Sequence, residues 1–271
     1  TPTKLLKINN HTINHQGDRI MGKIVCWFSG GVTSTVATKL ALERYDDVEI
    51  IFFETGNHHP DNDRYFAECE KWFGQPIIVL QDEKHEDIYS IFEEKRFINS
   101  PYGAPCTKIL KRKVRQKWED DVDFKNNYEG QVFGFDCSPR EYKRAERFHK
   151  EYPYTKPLFP LIGCNLTKED CFNIMERNGI EIPKMYRLGY GNNNCIGCVK
   201  GGMGYWNKVR IDFPEVFEKT ASLEREIDAT CITDRNGNRV YLDELDPNRG
   251  WALKPYVEPC GSFCDDLDGV E

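Results

Sequence analysis

The chain has 271 residues, 39% of them hydrophobic, which suits one main α/β domain with an appendage. No apolar stretch approaches the ~20 residues that cross a bilayer, so no membrane partner is expected. Lys and Arg total 37 against 44 Asp and Glu, a net charge of −7, so no global positive field draws the chain onto nucleic acid and any polyanion site must be local.

Residues 1–20 are polar and lack the apolar segment of a signal peptide; they read as a flexible leader without function. Eleven cysteines without a secretory signal point to a reducing compartment, and a cytoplasmic location is expected. The run Lys23 to Phe28 predicts a strand, Ser29-Gly30-Gly31 ends it, and a helix is expected from Ser34 to about Tyr45. Strand signals return at 49–53 and 75–80, around a helical stretch at 61–73. A further strand is expected at 131–135 after a basic segment, and a helix from Thr167 to Asn178, opened by a Thr167/Asp170 capping pair and closed by Gly179. After Gly191 come a Gly/Asn/Cys loop, a helix at 214–227, and a turn at 234–238 before a short strand at 239–242. Strands alternating with helices imply a doubly wound, mostly parallel sheet with helices on both faces and a ligand at the C-terminal strand edge. The expected division is a leader (1–20), a nucleotide-binding α/β domain (21–206) and a cysteine-bearing extension (207–271) folded over that edge.

Ser29-Gly30-Gly31-Val32-Thr33-Ser34 stands where the first strand meets its helix. Two glycines let successive N–H groups turn inward, and the positive helix end adds to them, which makes a phosphate cradle; the other reading is a plain tight turn. The absence of a lysine argues against a Walker-type ATPase. The loop resembles the S-G-G-x-x-S pyrophosphate loop of the PP-loop ATP pyrophosphatases and of the adenylylsulfate and phosphoadenylylsulfate (PAPS) reductases, and the resemblance covers most of residues 23–206. Glu54-Thr55-Gly56 followed by His58-His59-Pro60 is similar to the D-T-G-x-x-F/H/Y-P stretch that lines the nucleotide and substrate cleft in the reductase branch. Phe135 to Glu141, with Arg144 and Arg147, resembles the segment whose arginines meet phosphate or sulfate. The resemblance implies an adenine nucleotide alpha-hydrolase fold of Rossmann type and ATP with Mg as the ligand. One departure is Thr33, where many relatives carry Asp: a hydroxyl is a weaker support for a phosphate-bound metal than a carboxylate. His58 and His59 before Pro60 read as an exposed loop, with metal ligation as the other possibility.

Cys195 and Cys198 form a C-x-x-C pair in a loop too rich in Gly and Asn for a core helix, a turn that presents two thiolates to one metal. Cys106 opens a segment with six basic residues and no acid through Trp118; such a field favours an anionic, thiolate-ligated centre. That segment resembles the one which, with a later C-x-x-C, holds a 4Fe-4S cluster in adenylylsulfate reductases and in the DNA phosphorothioation sulfurtransferase branch. The fourth ligand is expected from Cys260 or Cys264, with Cys164 as an outside candidate, and the tail cysteine left over is the sulfur-handling or redox thiol. A structural zinc site of four cysteines is the alternative. Cys26, Cys69, Cys137, Cys171 and Cys231 read as packing residues. Lys108, Lys111, Arg140 and Arg144 are the candidate phosphate or sulfate binders, although the run 108–117 is also what a solvated helix face looks like.

The function these parts imply is adenylation of a substrate by ATP with release of pyrophosphate, followed by iron–sulfur-dependent sulfur transfer. The acceptor is a nucleic acid or a small molecule, with a sulfur donor or thioredoxin as partner. One alternative is reduction of a sulfonucleotide to sulfite; another is a nonenzymatic nucleotide-binding module stabilised by zinc.

Overall fold

In the computed structural model, which describes residues 19–100 and 103–250, strand β1 (Ile20–Trp27) is buried on both of its faces: Ile24 and Cys26 turn to one side, Val25 and Trp27 to the other. A strand covered twice belongs in the middle of a parallel sheet. β1 pairs in parallel with β2 (Tyr45–Phe53) and β4 (Gly130–Val132), β2 pairs with β3 (Ile78–Leu80), and β4 pairs with β5 (Pro157–Leu158). The order β3-β2-β1-β4-β5 is that of a doubly wound sheet, as the alternation of elements predicts. The chain first runs outward from β1 to β3 and then crosses back to β4. Its topological switch point therefore lies between the C-terminal ends of β1 and β4.

Helices α1 (Val32–Arg44), α2 (Asn62–Phe73) and α8 (Lys168–Arg177) cover the face of Ile24, Cys26, Ile50 and Phe52. Phe124, Phe148 and Phe159 cover the opposite face, where Val25, Trp27, Ile51 and Phe53 point. They belong to α5 (Phe124–Asn127), α6 (Pro139–Glu151) and the residue before α7 (Pro160–Gly163). A third core unites α3 (Ile88–Lys95), a π-helical turn at Thr107–Lys113, α10 (Met203–Asp212) and α11 (Pro214–Ile227). The remaining helices are α4 (Val114–Asp121) and α9 (Lys184–Arg187), and a small antiparallel hairpin joins β6 (Ile232–Thr233) to β7 (Arg239–Val240).

The helix at α8 starts as its sequence implies. Thr167 accepts from the Asp170 N–H while Asp170 accepts from the Thr167 N–H, and Gly179 follows at φ +69°. Three strand expectations shorten. At 75–80 only Ile78–Leu80 pair, because Pro76 has no N–H to give. At 131–135 the strand ends at Val132, with one further bond from the Phe133 N–H to the Leu158 carbonyl, because the chain then turns to lay Gly134 against the first turn of α1. At 239–242 only Arg239 and Val240 pair, and Leu242 enters a 3₁₀ turn. The boundary expected after residue 206 falls inside α10, whose Trp206 and Val209 share a core with α3 and α11. No helix among the described residues is long and apolar enough to cross a membrane.

Asp61 ties α2 to α9: it takes Arg64 at 2.8 and 2.9 Å, the Lys184 N–H at 2.8 Å and Arg187 at 3.2 Å. Hydrogen bonding from Arg64 outweighs burial and holds the Asp61 carboxyl down at about 2. A carboxyl depressed in the folded state contributes stability above its unfolded value, and that contribution is lost as pH falls through about 2. Asp61→Asn is therefore expected to flatten the acid limb of a melting-temperature profile below pH 4, at a cost of about 1 kcal/mol at neutral pH after solvent screening. A profile parallel to that of the unaltered chain would refute it.

Candidate nucleotide and thiol site

The loop at the end of β1 is built by its own side chains. Ser34 Oγ accepts from the Ser29 N–H (3.1 Å) and lies 3.0 Å from Ser29 Oγ, and it donates to the Gly31 carbonyl (2.8 Å). Thr35 Oγ1 donates to the same carbonyl at 3.0 Å and sits 2.6 Å from the buried Tyr65 hydroxyl. Gly30 has φ +73°, the left-handed region where only glycine is at ease, and a Cβ there would meet Phe66 at 3.0 Å. Gly31, which precedes α1, caps it with no side chain, so the first-turn amides face the strand edge. Val32 donates to the Tyr186 hydroxyl at 3.4 Å, and burial raises that hydroxyl to about 12. Lys168, whose Nζ lies 5.2 Å from the Tyr186 ring centre, hydrogen-bonds the Gly191 carbonyl and Asn192 Oδ1. Burial lowers its pKa even though Asp136 and Glu141 pull the other way. The arrangement can hold an anion: a tight backbone turn, a helix N-terminus and a half-buried cation nearby.

The C-x-x-C loop is fastened to this turn. Asn193 Nδ2 donates to the Gly30 carbonyl (2.8 Å) and to Asn62 Oδ1 (2.9 Å), and Ile196 N–H donates to the Asn57 carbonyl (2.7 Å). Two residues past Asn193, Cys195 Sγ lies 3.1 Å from Thr55 Oγ1. The Glu54-Thr55-Gly56 stretch after β2 closes on itself: Glu54 Oε1 accepts from the Thr55 and Gly56 N–H groups (2.8 and 2.6 Å) and pairs with His58 Nε2 at 2.5 Å. Burial opposes the Glu54 charge, but His58 and the two backbone donors outweigh it and hold the carboxyl below its ordinary value. Burial also opposes the charge on His58, and its contacts with Cys195 and Glu54 outweigh that and lift it to about 9. His58 is thus not on the exposed loop that the sequence suggests; its side chain is 17% exposed.

Cys106, Cys195 and Cys198 line one small, partly open pocket together with Thr55, Lys111 and Lys200. Cys106 immediately precedes the π-helical turn, a geometry that adds a residue to the turn. Among the described residues, no group of three or more His, Cys, Asp or Glu side chains converges closely enough to hold a single metal ion. Cys260 and Cys264 lie outside the described residues. Cys164 is exposed, does not line this pocket, and sits within electrostatic reach of Arg44 at the C-terminal end of α1, the end away from the loop. Cys231, read as packing, is buried and belongs to the core that also holds Cys198, close enough for both Cys106 and Cys198 to act on it electrostatically; burial raises its thiol far above the ordinary value.

Of the expected anion binders, Lys111 faces the pocket and Lys108 is exposed. Arg140 is exposed at the start of α6, while Arg144 is buried, with Nη1 on both Glu141 oxygens at 2.9 Å and its guanidinium 5.0 Å from the Phe135 ring centre. An arginine whose Nη1 is already engaged by a carboxylate supports the loop more readily than it meets a new anion. Tyr186, Asn193 and Lys168 carry no motif of their own. The one sequence signal was three consecutive asparagines, Asn192 to Asn194, directly before a C-x-x-C pair.

The phosphoadenosine phosphosulfate reductase domain matches residues 23–201, well over half of the chain. The chain belongs to that family. The matched span holds the parallel sheet apart from the first three residues of β1, together with the loop after β1 and the C-x-x-C loop. An uncharacterized protein of Methanocaldococcus jannaschii is 26% identical over 254 residues, covering 89% of this chain and 47% of its own. A second uncharacterized protein of that organism is 24% identical over 199 residues, covering 71% of this chain and 45% of its own. The chain thus spans about half the length of these relatives. An uncharacterized nin region protein of Escherichia phage lambda is 28% identical over 199 residues, 64% of each chain. Among solved structures, a phosphoadenylyl-sulfate reductase from Candida auris in complex with phosphate aligns with a TM-score of 0.44 and 12% identity, over 65% of this chain and 80% of that one. The U34-tRNA thiolase NcsA from Methanococcus maripaludis, with its 4Fe-4S cluster, aligns at 0.43 and 14%, over 78% and 68%.

The strap from Asn193 to Gly30 carries a prediction. Asn193→Ala leaves a buried carbonyl without its donor, at a cost of about 1–3 kcal/mol. The expected outcome is a lower melting temperature together with weaker ATP binding by calorimetry. A variant that melts lower but binds ATP unchanged would show that the strap serves the core alone.

Proposed function

We propose that this chain binds ATP with Mg on the Ser29–Ser34 loop, uses it to adenylate a carbonyl oxygen of its substrate, and replaces that oxygen by sulfur. The observation that carries the reading is the Asn193 bridge, which ties the phosphate-type loop after β1 to the segment that carries the C-x-x-C pair, beside the three-thiol pocket. The substrate oxygen attacks the α-phosphorus, the α–β phosphoanhydride breaks, and pyrophosphate leaves from the amides of the loop. A sulfur nucleophile at the hydrosulfide level then displaces AMP, so that C=O becomes C=S with no net oxidation. The loop binds and orients the polyphosphate, Lys168 adds positive charge beside it, and Thr55 and His58 fix Cys195 at the pocket wall.

We read Cys106, Cys195 and Cys198 on one pocket wall as suited to a four-iron cluster, with a structural zinc ion as the other reading. Each thiolate of such a cluster binds a different corner, whereas zinc draws its sulfurs to one point at ~2.3 Å, so metal analysis separates the two. Lys111 and Lys200 on the wall would offset the negative charge of the thiolates. Cys106, Cys195 and Cys198 would be three of the ligands, with the fourth from Cys260 or Cys264. The cluster would supply an iron site that holds the incoming sulfur.

The test is pyrophosphate release from ATP by the anaerobically purified chain, with iron analysis alongside. Pyrophosphate formed with colour and iron present supports the reading. Sulfite released from a sulfonucleotide with reduced thioredoxin would replace it with a reductase, and a colourless zinc protein that binds nucleotide without turnover would replace it with a binding module.

A further inference from the structure

His58 is the one histidine of the described residues that stands between a carboxylate and a cysteine of the thiol pocket. Glu54 is itself fixed by two backbone donors and takes His58 Nε2 at 2.5 Å. The opposite ring nitrogen, Nδ1, lies 3.4 Å from Thr55 Oγ1, which lies 3.1 Å from Cys195 Sγ, so the ring reaches the sulfur through the Thr55 hydroxyl. Phe52 packs edge-on against the ring at 5.0 Å, so the imidazole is clamped on its face as well as at its nitrogens. Partial burial has a cost for a polar ring, which its hydrogen-bond partners on both nitrogens offset.

We infer that His58, held by Glu54, is a positioning residue for Cys195: acting through the Thr55 hydroxyl, it fixes the sulfur in the pocket wall and orients a hydrogen bond to it, setting how firmly a metal centre is kept and at what potential it is reduced. The inference rests on the thiol-ligated centre proposed above and adds to it a residue outside the cysteines. The physical basis is general: groups that hydrogen-bond a ligating atom orient it and tune the metal, and hydrogen bonds to cluster sulfurs raise a reduction potential.

The test uses the full chain purified anaerobically, unaltered and as His58→Leu, His58→Gln and Glu54→Gln. Metal content of the unaltered chain is measured first. The readouts are the rate at which a chelator strips that metal and, for iron, the reduction midpoint. His58→Leu should lose metal about 10- to 100-fold faster and reduce at a more negative potential, with Glu54→Gln between it and the unaltered chain. His58→Gln keeps a donor and should recover much of the retention, which also guards against a Leu variant that fails to fold. If the unaltered chain holds its metal and all variants match it in stripping rate and midpoint, the role of His58 is wrong while the proposed centre stands. If the unaltered chain holds neither iron nor zinc, the centre itself is wrong and the role of His58 falls with it.

Discussion

Gly134→Ala is expected to weaken ATP binding about fivefold or more by displacing the loop that would hold the polyphosphate. A Cβ at this position would lie 2.7 Å from both the N and Cα atoms of Ser34 and 3.0 Å from the carbonyl carbon of Thr33. These are backbone atoms, so no side-chain rotation relieves the clash. Either α1 moves or the chain leaving β4 does. Overpacking of this kind costs about 1–3 kcal/mol, and 1.4 kcal/mol is one factor of ten in affinity. The glycine is needed because the two loops of the switch point touch here, which is also where a doubly wound sheet takes its ligand. Calorimetry with ATP, with a melting curve beside it, decides the matter. Unchanged affinity with a lowered melting temperature would mean that the helix absorbs the strain and that the loop does not hold the nucleotide.

Cys195→Ser and Cys198→Ser are each expected to bring bound metal to background, whereas Cys164→Ser retains it. A hydroxyl is a poor substitute for thiolate at a soft metal, and both residues line the pocket that also holds Cys106. Cys198 is held besides by its own N–H donating to the Tyr205 hydroxyl at 2.9 Å, so its serine variant should keep the loop in place. Cys164 is exposed and beside Arg44, outside that pocket, and makes the control. Metal analysis and a visible spectrum read the result. Full retention in either pocket variant, or loss in the control, would sink the ligand assignment.

The resemblance named from the S-G-G-x-x-S loop, the Glu54-Thr55-Gly56 stretch and the arginine segment agrees with the family that the domain match shows. The helix at α8 was legible because capping is local: Thr167 and Asp170 satisfy each other's backbone within one turn, and no distant residue is needed. Arg140 and Arg144 show the limit of such reading. Spacing of four places them on one face, but whether that face meets an anion depends on Glu141 and Phe135, and Glu141 already engages Arg144.

By itself the sequence determined the alternation of buried strands and amphipathic helices, the glycine turn after β1 and the chemical kinds of side chain available, since period, turn residues and donor type are properties of short segments. Only the tertiary structure decided which of those segments meet. Asn193 reaching Gly30, Tyr186 facing the first turn of α1, and His58 set between Glu54 and Cys195 join residues up to 163 positions apart. Contacts at that range follow from strand order and crossover, which no local pattern encodes.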